Sequence, residues 1–137
     1  PYRLLAEALG ARGIGSVRID KRGLFGSAAA GVDPNAVTIP AYAEDVAAWV
    51  TAARSATGAK CVWLLGHSEG GLIALAAAQR AEGLCGAILV AAPGRKLGAV
   101  MREQLEANPA NAILLADALP AIARLEAGER VDVTAMH

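Results

Sequence analysis

The chain has 137 residues and a mass of 13.9 kDa, which suffices for one ordinary domain with a hydrophobic core. Hydrophobic residues make up 55% of it and aromatic residues only 4%, so the core must be built from Ala, Leu, Val and Ile. The 13 basic and 13 acidic side chains cancel, and no apolar stretch reaches the roughly 18 residues of a membrane span, so neither nucleic acid nor a membrane is expected as the main partner.

The first 58 residues predict two helices separated by a strand and a loop. Residues 2–13 carry leucines at helical spacing and stop at Gly10 and Gly13, which predicts a helix. Residues 14–20 alternate apolar and polar side chains, which predicts a short strand. Residues 21–40 contain several glycines and prolines and predict a long loop. Residues 41–58 carry one apolar stripe and predict an amphipathic helix.

The middle of the chain predicts two buried strands with a helix between them. Residues 61–65 and 85–94 are continuous apolar runs, which are typical of strands covered on both faces. Residues 71–83 are rich in small side chains and predict a helix. The order of helix and strand alternates from the start, so the chain is predicted to be an α/β protein with a parallel sheet and helices on both faces.

The character of the sequence changes after Gly94. Residues 97–109 predict one helix, and residues 111–128 predict a second that is interrupted at Pro120. We therefore expect a partial α/β core over residues 1–96 and a helical segment over residues 97–137. That segment is predicted to be a cap or lid over the carboxyl edge of the sheet, and the alternative is an ordinary crossover.

The two cysteines, Cys61 and Cys85, stand at the starts of apolar runs. They are interpreted as separate small buried hydrophobic residues. A disulfide or a metal-binding role is not expected of them.

A glycine-flanked serine separates the first buried strand from the helix after it. Gly66-His67-Ser68-Glu69-Gly70 matches the pattern G-x-S-x-G, in which a sharp strand-to-helix turn holds the serine hydroxyl clear of the sheet. Both glycines are predicted to be necessary because strand and helix approach closely there. The Glu69 N–H at the helix start is the candidate donor to an oxyanion. The alternative is a glycine-rich turn in which Ser68 caps the helix.

These residues resemble the nucleophile elbow of the α/β-hydrolase superfamily, and nearest among its members are bacterial serine hydrolases of the esterase or dienelactone-hydrolase kind. The segment VRIDKRGLFGS is similar to the place in those enzymes where a strand ends in Asp-x-Arg-Gly before a glycine-serine loop. The matching residues are Asp20, Arg22, Gly23, Gly26 and Ser27. Leu24 and Phe25 widen the usual spacing. The resemblance implies that Ser68 is the nucleophile and that His67 lines the substrate pocket or packs beneath the elbow.

The chain also departs from that superfamily, in which an acid and then a histidine follow the serine along the chain. The candidates after Ser68 are Asp117 and Asp132 for the acid and His137 for the base, and none follows a convincing strand. Both acids are better interpreted as solvated surface carboxylates. We therefore expect this chain to be the central part of a larger hydrolase, with the base and the acid supplied from beyond it.

A strand that precedes the first helix in the superfamily is also missing from this sequence. The resemblance places that strand between the strands predicted at 14–20 and at 61–65. Unpaired backbone groups at such edges favour association, so a homo-oligomer formed through strand edges is a further expectation.

The sequence thus predicts a serine hydrolase that acts on an ester, thioester or similar acyl group of a small-molecule substrate. This chemistry needs no metal and no organic cofactor. The 137-residue chain alone is expected to have negligible esterase turnover. One alternative is a non-catalytic α/β module that binds a ligand or partner. Another is a nucleotide binder that uses the turn at 66–71, although this turn lacks the lysine and spacing of a P-loop.

Overall fold

The computed structural model describes residues 2–30, 33 and 37–132. The chain divides into two compact units, Pro1–Val90 and Ala91–His137. Within the described ranges, no helix is both long and apolar enough to cross a membrane.

Besides a 3-10 helix at Phe25–Ala30, the described part of the first unit contains three α-helices and two strands. They are α1 (Tyr2–Gly10), α2 (Ile39–Thr57), β1 (Val62–His67), α3 (Glu69–Ala78) and β2 (Leu84–Val90). The predicted helices of this unit are confirmed, as are both strands predicted after residue 60. Capping sets the limits of α2, because the Thr38 hydroxyl accepts a hydrogen bond from the Ala41 N–H at its start. Gly58 ends it with a φ of 71°, a left-handed conformation that favours glycine.

The two strands form a parallel sheet with helices packed against it, as predicted for an α/β protein. The helix α3 packs against both strands, and α2 packs against α3 and contacts β1. The buried side chains at these contacts are all aliphatic, as the composition predicted: Ala43, Val50, Ile73, Ala74 and Ala77.

Two predictions about the sheet are wrong for the described residues. Residues 14–20 do not form a strand, because a strand needs a hydrogen-bonded neighbour and β1 pairs only with β2 in the described part of the chain. The sheet is also not covered on both faces. Trp63, Leu65 and Ile88 remain 62%, 42% and 45% exposed, so the side of the strands that carries them is left largely open by the described residues.

The prediction that the cysteines are separate thiols is also wrong. Cys61 and Cys85 form a disulfide, with their Cα atoms 5.2 Å apart, a spacing that fits such a bond. Parallel pairing of β1 with β2 brings the starts of the two apolar runs side by side, although they are 24 residues apart in sequence. Spacing along the chain alone did not reveal this contact.

The second unit contains α4 (Leu97–Ala107), a 3-10 turn (Pro109–Asn111) and α5 (Ala112–Glu126). The two helices pack against each other, and an ion pair joins Arg102 to Glu126. The predicted interruption at Pro120 is wrong, because α5 continues through it. Proline removes one helical hydrogen bond, but burial of Ala121 and Ile122 directly after it holds the helix together.

A surface ion pair in this unit gives a prediction about pH. The Arg95 guanidinium hydrogen-bonds to the Glu103 carboxylate, with Nη2 2.7 Å from Oε2, and this bond lowers the pKa of Glu103. Since the folded pKa lies below the unfolded one, the pair stabilises the fold above the unfolded pKa, and this contribution is lost as pH falls through the folded pKa. We expect Arg95→Gln to raise the Glu103 pKa, measured by NMR titration of the carboxyl carbon. An unchanged titration curve would contradict this assignment.

Candidate active site

Ser68 alone makes the turn between β1 and α3. The strand ends at His67 and the helix begins at Glu69, so the predicted strand-to-helix bend is present. Ser68 has a φ of 54° and a ψ of −126°, a conformation that residues with a side chain rarely adopt. Such strain costs on the order of 1–3 kcal/mol and persists only where the surroundings enforce it.

Backbone hydrogen bonds on both sides hold this turn in place. The Ser68 N–H donates to the Val90 carbonyl at 2.9 Å, and the Gly71 N–H donates to the Ser68 carbonyl at 2.9 Å. The Ser68 side chain makes no capping hydrogen bond to α3. A capping serine has extended φ and ψ, which Ser68 does not have, so the alternative interpretation of Ser68 as a helix cap is wrong.

The two glycines of G-x-S-x-G have different surroundings. A Cβ on Gly66 would lie 2.6 Å from the Gly70 carbonyl carbon and 2.7 Å from the Gly71 Cα, both backbone atoms of α3. A Cβ on Gly70 would meet nothing within 4 Å. The prediction of close approach is therefore confirmed at Gly66 and wrong at Gly70, which lies where the first turn of α3 is open.

Glu69 places both a backbone donor and a carboxylate at the start of α3. Its N–H belongs to the first helical turn, where the helix itself offers no acceptor. The Glu69 carboxylate forms an ion pair with Lys21, whose Nζ lies 5.1 Å from the centre of the Tyr42 ring. Both charged side chains are more than two-fifths exposed, so this pair adds little stability. Lys21 gave no signal in the sequence.

His67, the last residue of β1, contacts the first helix. Its Nδ1 and the Tyr2 hydroxyl are 2.8 Å apart and hydrogen-bonded, and the two rings meet edge to face. Both residues are exposed. The sequence singled out His67 but not Tyr2, which is 65 residues away along the chain. A pocket-lining role for His67 stays a prediction.

The Asp20 segment forms a closed loop rather than the end of a strand. The Gly26 N–H donates to Asp20 Oδ2 at 3.1 Å, and the Ser27 hydroxyl donates to the Asp20 carbonyl at 3.1 Å. The Gly23 N–H donates to the Ser27 carbonyl at 3.0 Å. Leu24 and Phe25 lengthen this segment relative to the superfamily pattern. The added length is accommodated by a 3-10 turn that begins at Phe25, which has a φ of 44°.

Arg22 fastens this loop to α2. Its Nε donates to Asp45 Oδ2 at 2.7 Å, and its Nη2 also reaches Asp45 and the Ala41 carbonyl. The hydrogen bond that Arg22 donates to the Asp45 carboxylate raises the pKa of the guanidinium. Asp45 was not singled out by the sequence, because a carboxylate on an amphipathic helix is ordinary.

The remaining candidates lie in the second unit or outside the described residues. Asp117 lies on α5, and Asp132 follows that helix near Arg124. His137 lies outside the described residues. In the part of the chain that the structure describes, no group of three or more His, Cys, Asp or Glu side chains is placed to hold a metal ion.

Comparison with known proteins adds one match. The family model described as Hydrolase_4: Serine aminopeptidase, S33, matches residues 1–134, which include both the Asp20 loop and the turn at Ser68. No curated protein and no solved structure matches the chain.

Proposed function

This chain belongs to Hydrolase_4, an α/β-hydrolase family, and from that premise we propose that it is a serine hydrolase whose nucleophile is Ser68. The observation that carries the proposal is the strained backbone of Ser68 between β1 and α3. Backbone strain of this kind is kept where function requires it. Glycine would adopt the same φ and ψ without strain, so a turn that served only to connect the two elements is expected to carry glycine rather than serine.

The surroundings of Ser68 support acyl transfer. The hydroxyl is not used to cap α3, and the residue is partly exposed. On attack at a carbonyl carbon, the Ser68 Oγ forms the new bond and its proton passes to a base. The carbonyl oxygen then becomes an oxyanion, for which the Glu69 N–H at the helix start is the proposed donor.

The charge of Glu69 bears on this step. A carboxylate beside a developing oxyanion opposes it, and the ion pair with Lys21 offsets that negative charge. Lys21 therefore favours the reaction through Glu69 rather than by contact with the substrate. The base and the orienting acid are proposed to come from beyond this chain.

The proposed substrate is a small molecule with a carboxylic ester or a related acyl bond. The family description names a serine aminopeptidase, so an amide at a peptide amino terminus is the second candidate. Both reactions pass through the same acylated serine. The alternative from another class is a binding module that keeps the elbow only as architecture.

A fluorophosphonate probe tests the proposal, because it reacts only with an activated serine. We expect the full-length protein to be labelled at Ser68, as located by peptide mapping, and the 137-residue chain to be labelled little. Ser68→Ala should abolish labelling. Ser55→Ala is the matched control, since Ser55 is exposed on α2 but lies outside the turn.

Labelling at another serine, or none in the full-length protein, would refute the assignment of Ser68 and favour the binding module. Parallel assays with p-nitrophenyl acetate and an amino-acid p-nitroanilide distinguish the two candidate substrates.

A further inference from the structure

The disulfide closes a loop that contains the turn at Ser68. Cys61 immediately precedes β1, and Cys85 is the second residue of β2, 24 residues later. The closed loop therefore contains β1, Ser68 and α3. No other covalent link joins the two strands in the described part of the chain, because Cys61 and Cys85 are the chain's two cysteines.

The bond lies where the pairing of the strands is irregular. Val62 pairs with Leu84 but Trp63 pairs with Gly86, so Cys85 is the extra residue of a bulge. At the opposite end of the same ladder, the Ser68 N–H donates to the Val90 carbonyl. The strand pair is thus joined covalently at its amino end and carries the serine turn at its carboxyl end.

Packing alone holds this strand pair weakly. Two-stranded sheets are marginally stable in water, and one side of this one leaves Trp63, Leu65 and Ile88 exposed. Gly86 lies against the Trp63 ring. This contact favours one register of the two strands, but it exists only while the strands are paired. A covalent link at the bulge therefore matters more here than in a wide, covered sheet.

We propose that the Cys61–Cys85 disulfide is a redox-sensitive clamp that keeps β1 and β2 in register and so keeps the turn at Ser68 formed. Cys85 is exposed, which gives a thiol reagent access to the bond. A thiolate of a dithiol such as dithiothreitol attacks one sulfur and displaces the other as a thiolate. The second thiol of the reagent then closes its own disulfide, so two electrons and two protons pass to the cysteines.

Opening the clamp loosens the ladder from its amino end. The denatured chain regains the freedom that a 24-residue loop had removed, so stability falls. The Ser68 N–H···Val90 bond then opens more often, because local opening follows the stability of the strand pair.

Thermal unfolding and hydrogen exchange with and without dithiothreitol test the proposal. We expect the reductant to lower the melting temperature by roughly 10 °C. Below that transition, exchange of the Leu65 and Ser68 amides should rise about tenfold or more. The Cys61→Ala/Cys85→Ala double variant should match the reduced protein and should not respond to the reductant. If that variant does not fold, the comparison of the oxidised and reduced wild-type protein still tests the proposal.

Two results would overturn the clamp. One is two free thiols in the protein under non-reducing conditions. The other is faster exchange confined to residues beside Cys61 and Cys85, with Ser68 unaffected. A further arm, the rate at which fluorophosphonate labels Ser68 of the full-length protein, rests on the proposed function and should fall on reduction. If the full-length protein is labelled in neither redox state, the proposed function is refuted. The hydrogen-exchange result alone then tests the clamp.

Discussion

Gly66→Ala is expected to lower the free energy of unfolding by about 3 kcal/mol, enough to unfold a marginal domain in part. The new methyl group would overlap the Gly70 carbonyl and lie 2.7 Å from the Gly71 Cα. These are backbone atoms, so no side chain can rotate away to make room. The methyl group can fit only if β1 and α3 separate, which breaks the packing around the buried Gly71 and Ile73.

Gly70→Ala is the matched control for this change. The same methyl group would meet nothing within 4 Å there, and the residue lies in a helix, where alanine is favoured over glycine by about 0.5–1 kcal/mol. We therefore expect the control to be neutral or slightly stabilised in urea denaturation followed by circular dichroism. Equal losses from the two variants would contradict the contact geometry at Gly66.

This contrast shows how far a motif can be interpreted from sequence. G-x-S-x-G predicted the strand, the turn, the helix and their order, because apolar runs and glycines act locally. It treated its two glycines as equivalent, and only Gly66 contacts the backbone of α3. The difference arises from the crossing of two elements, which local sequence does not encode.

The parts of the candidate site that the sequence did not predict are all contacts between segments distant along the chain. Lys21 reaches Glu69, Tyr2 reaches His67, and Asp45 reaches Arg22, across separations of 48, 65 and 23 residues. None of the partners the sequence missed is unusual in its own local sequence. A charged residue in a loop or on a helix is ordinary until the fold brings it to its partner.

The same reason explains the wrong predictions for the sheet. Residues 14–20 have the alternation of a strand, but a strand exists only with a neighbour. Cys61 and Cys85 look like core residues because both begin apolar runs. Parallel pairing places them at the same end of adjacent strands, where a disulfide forms. In each case the sequence shows a local pattern but not which distant segment the residues pair with.

The largest effect on activity is expected at Ser68, and two variants separate its chemistry from its strain. Ser68→Ala removes the hydroxyl and keeps a Cβ, so turnover by the full-length protein should fall about 10³-fold or more with stability nearly unchanged. Ser68→Gly should lose activity equally. Glycine adopts a φ of 54° with a ψ of −126° without strain.

Relief of that strain is worth on the order of 1–3 kcal/mol, and the greater freedom of unfolded glycine offsets part of it. We therefore expect Ser68→Gly to be more stable than Ser68→Ala by about 1 kcal/mol, measured as the difference in urea midpoints of the two inactive proteins. Because neither variant has the hydroxyl, the difference reports the backbone alone. A protein that keeps serine here, where glycine would be more stable, keeps it for the hydroxyl; an alanine variant as stable as the glycine variant would remove this argument for a nucleophile.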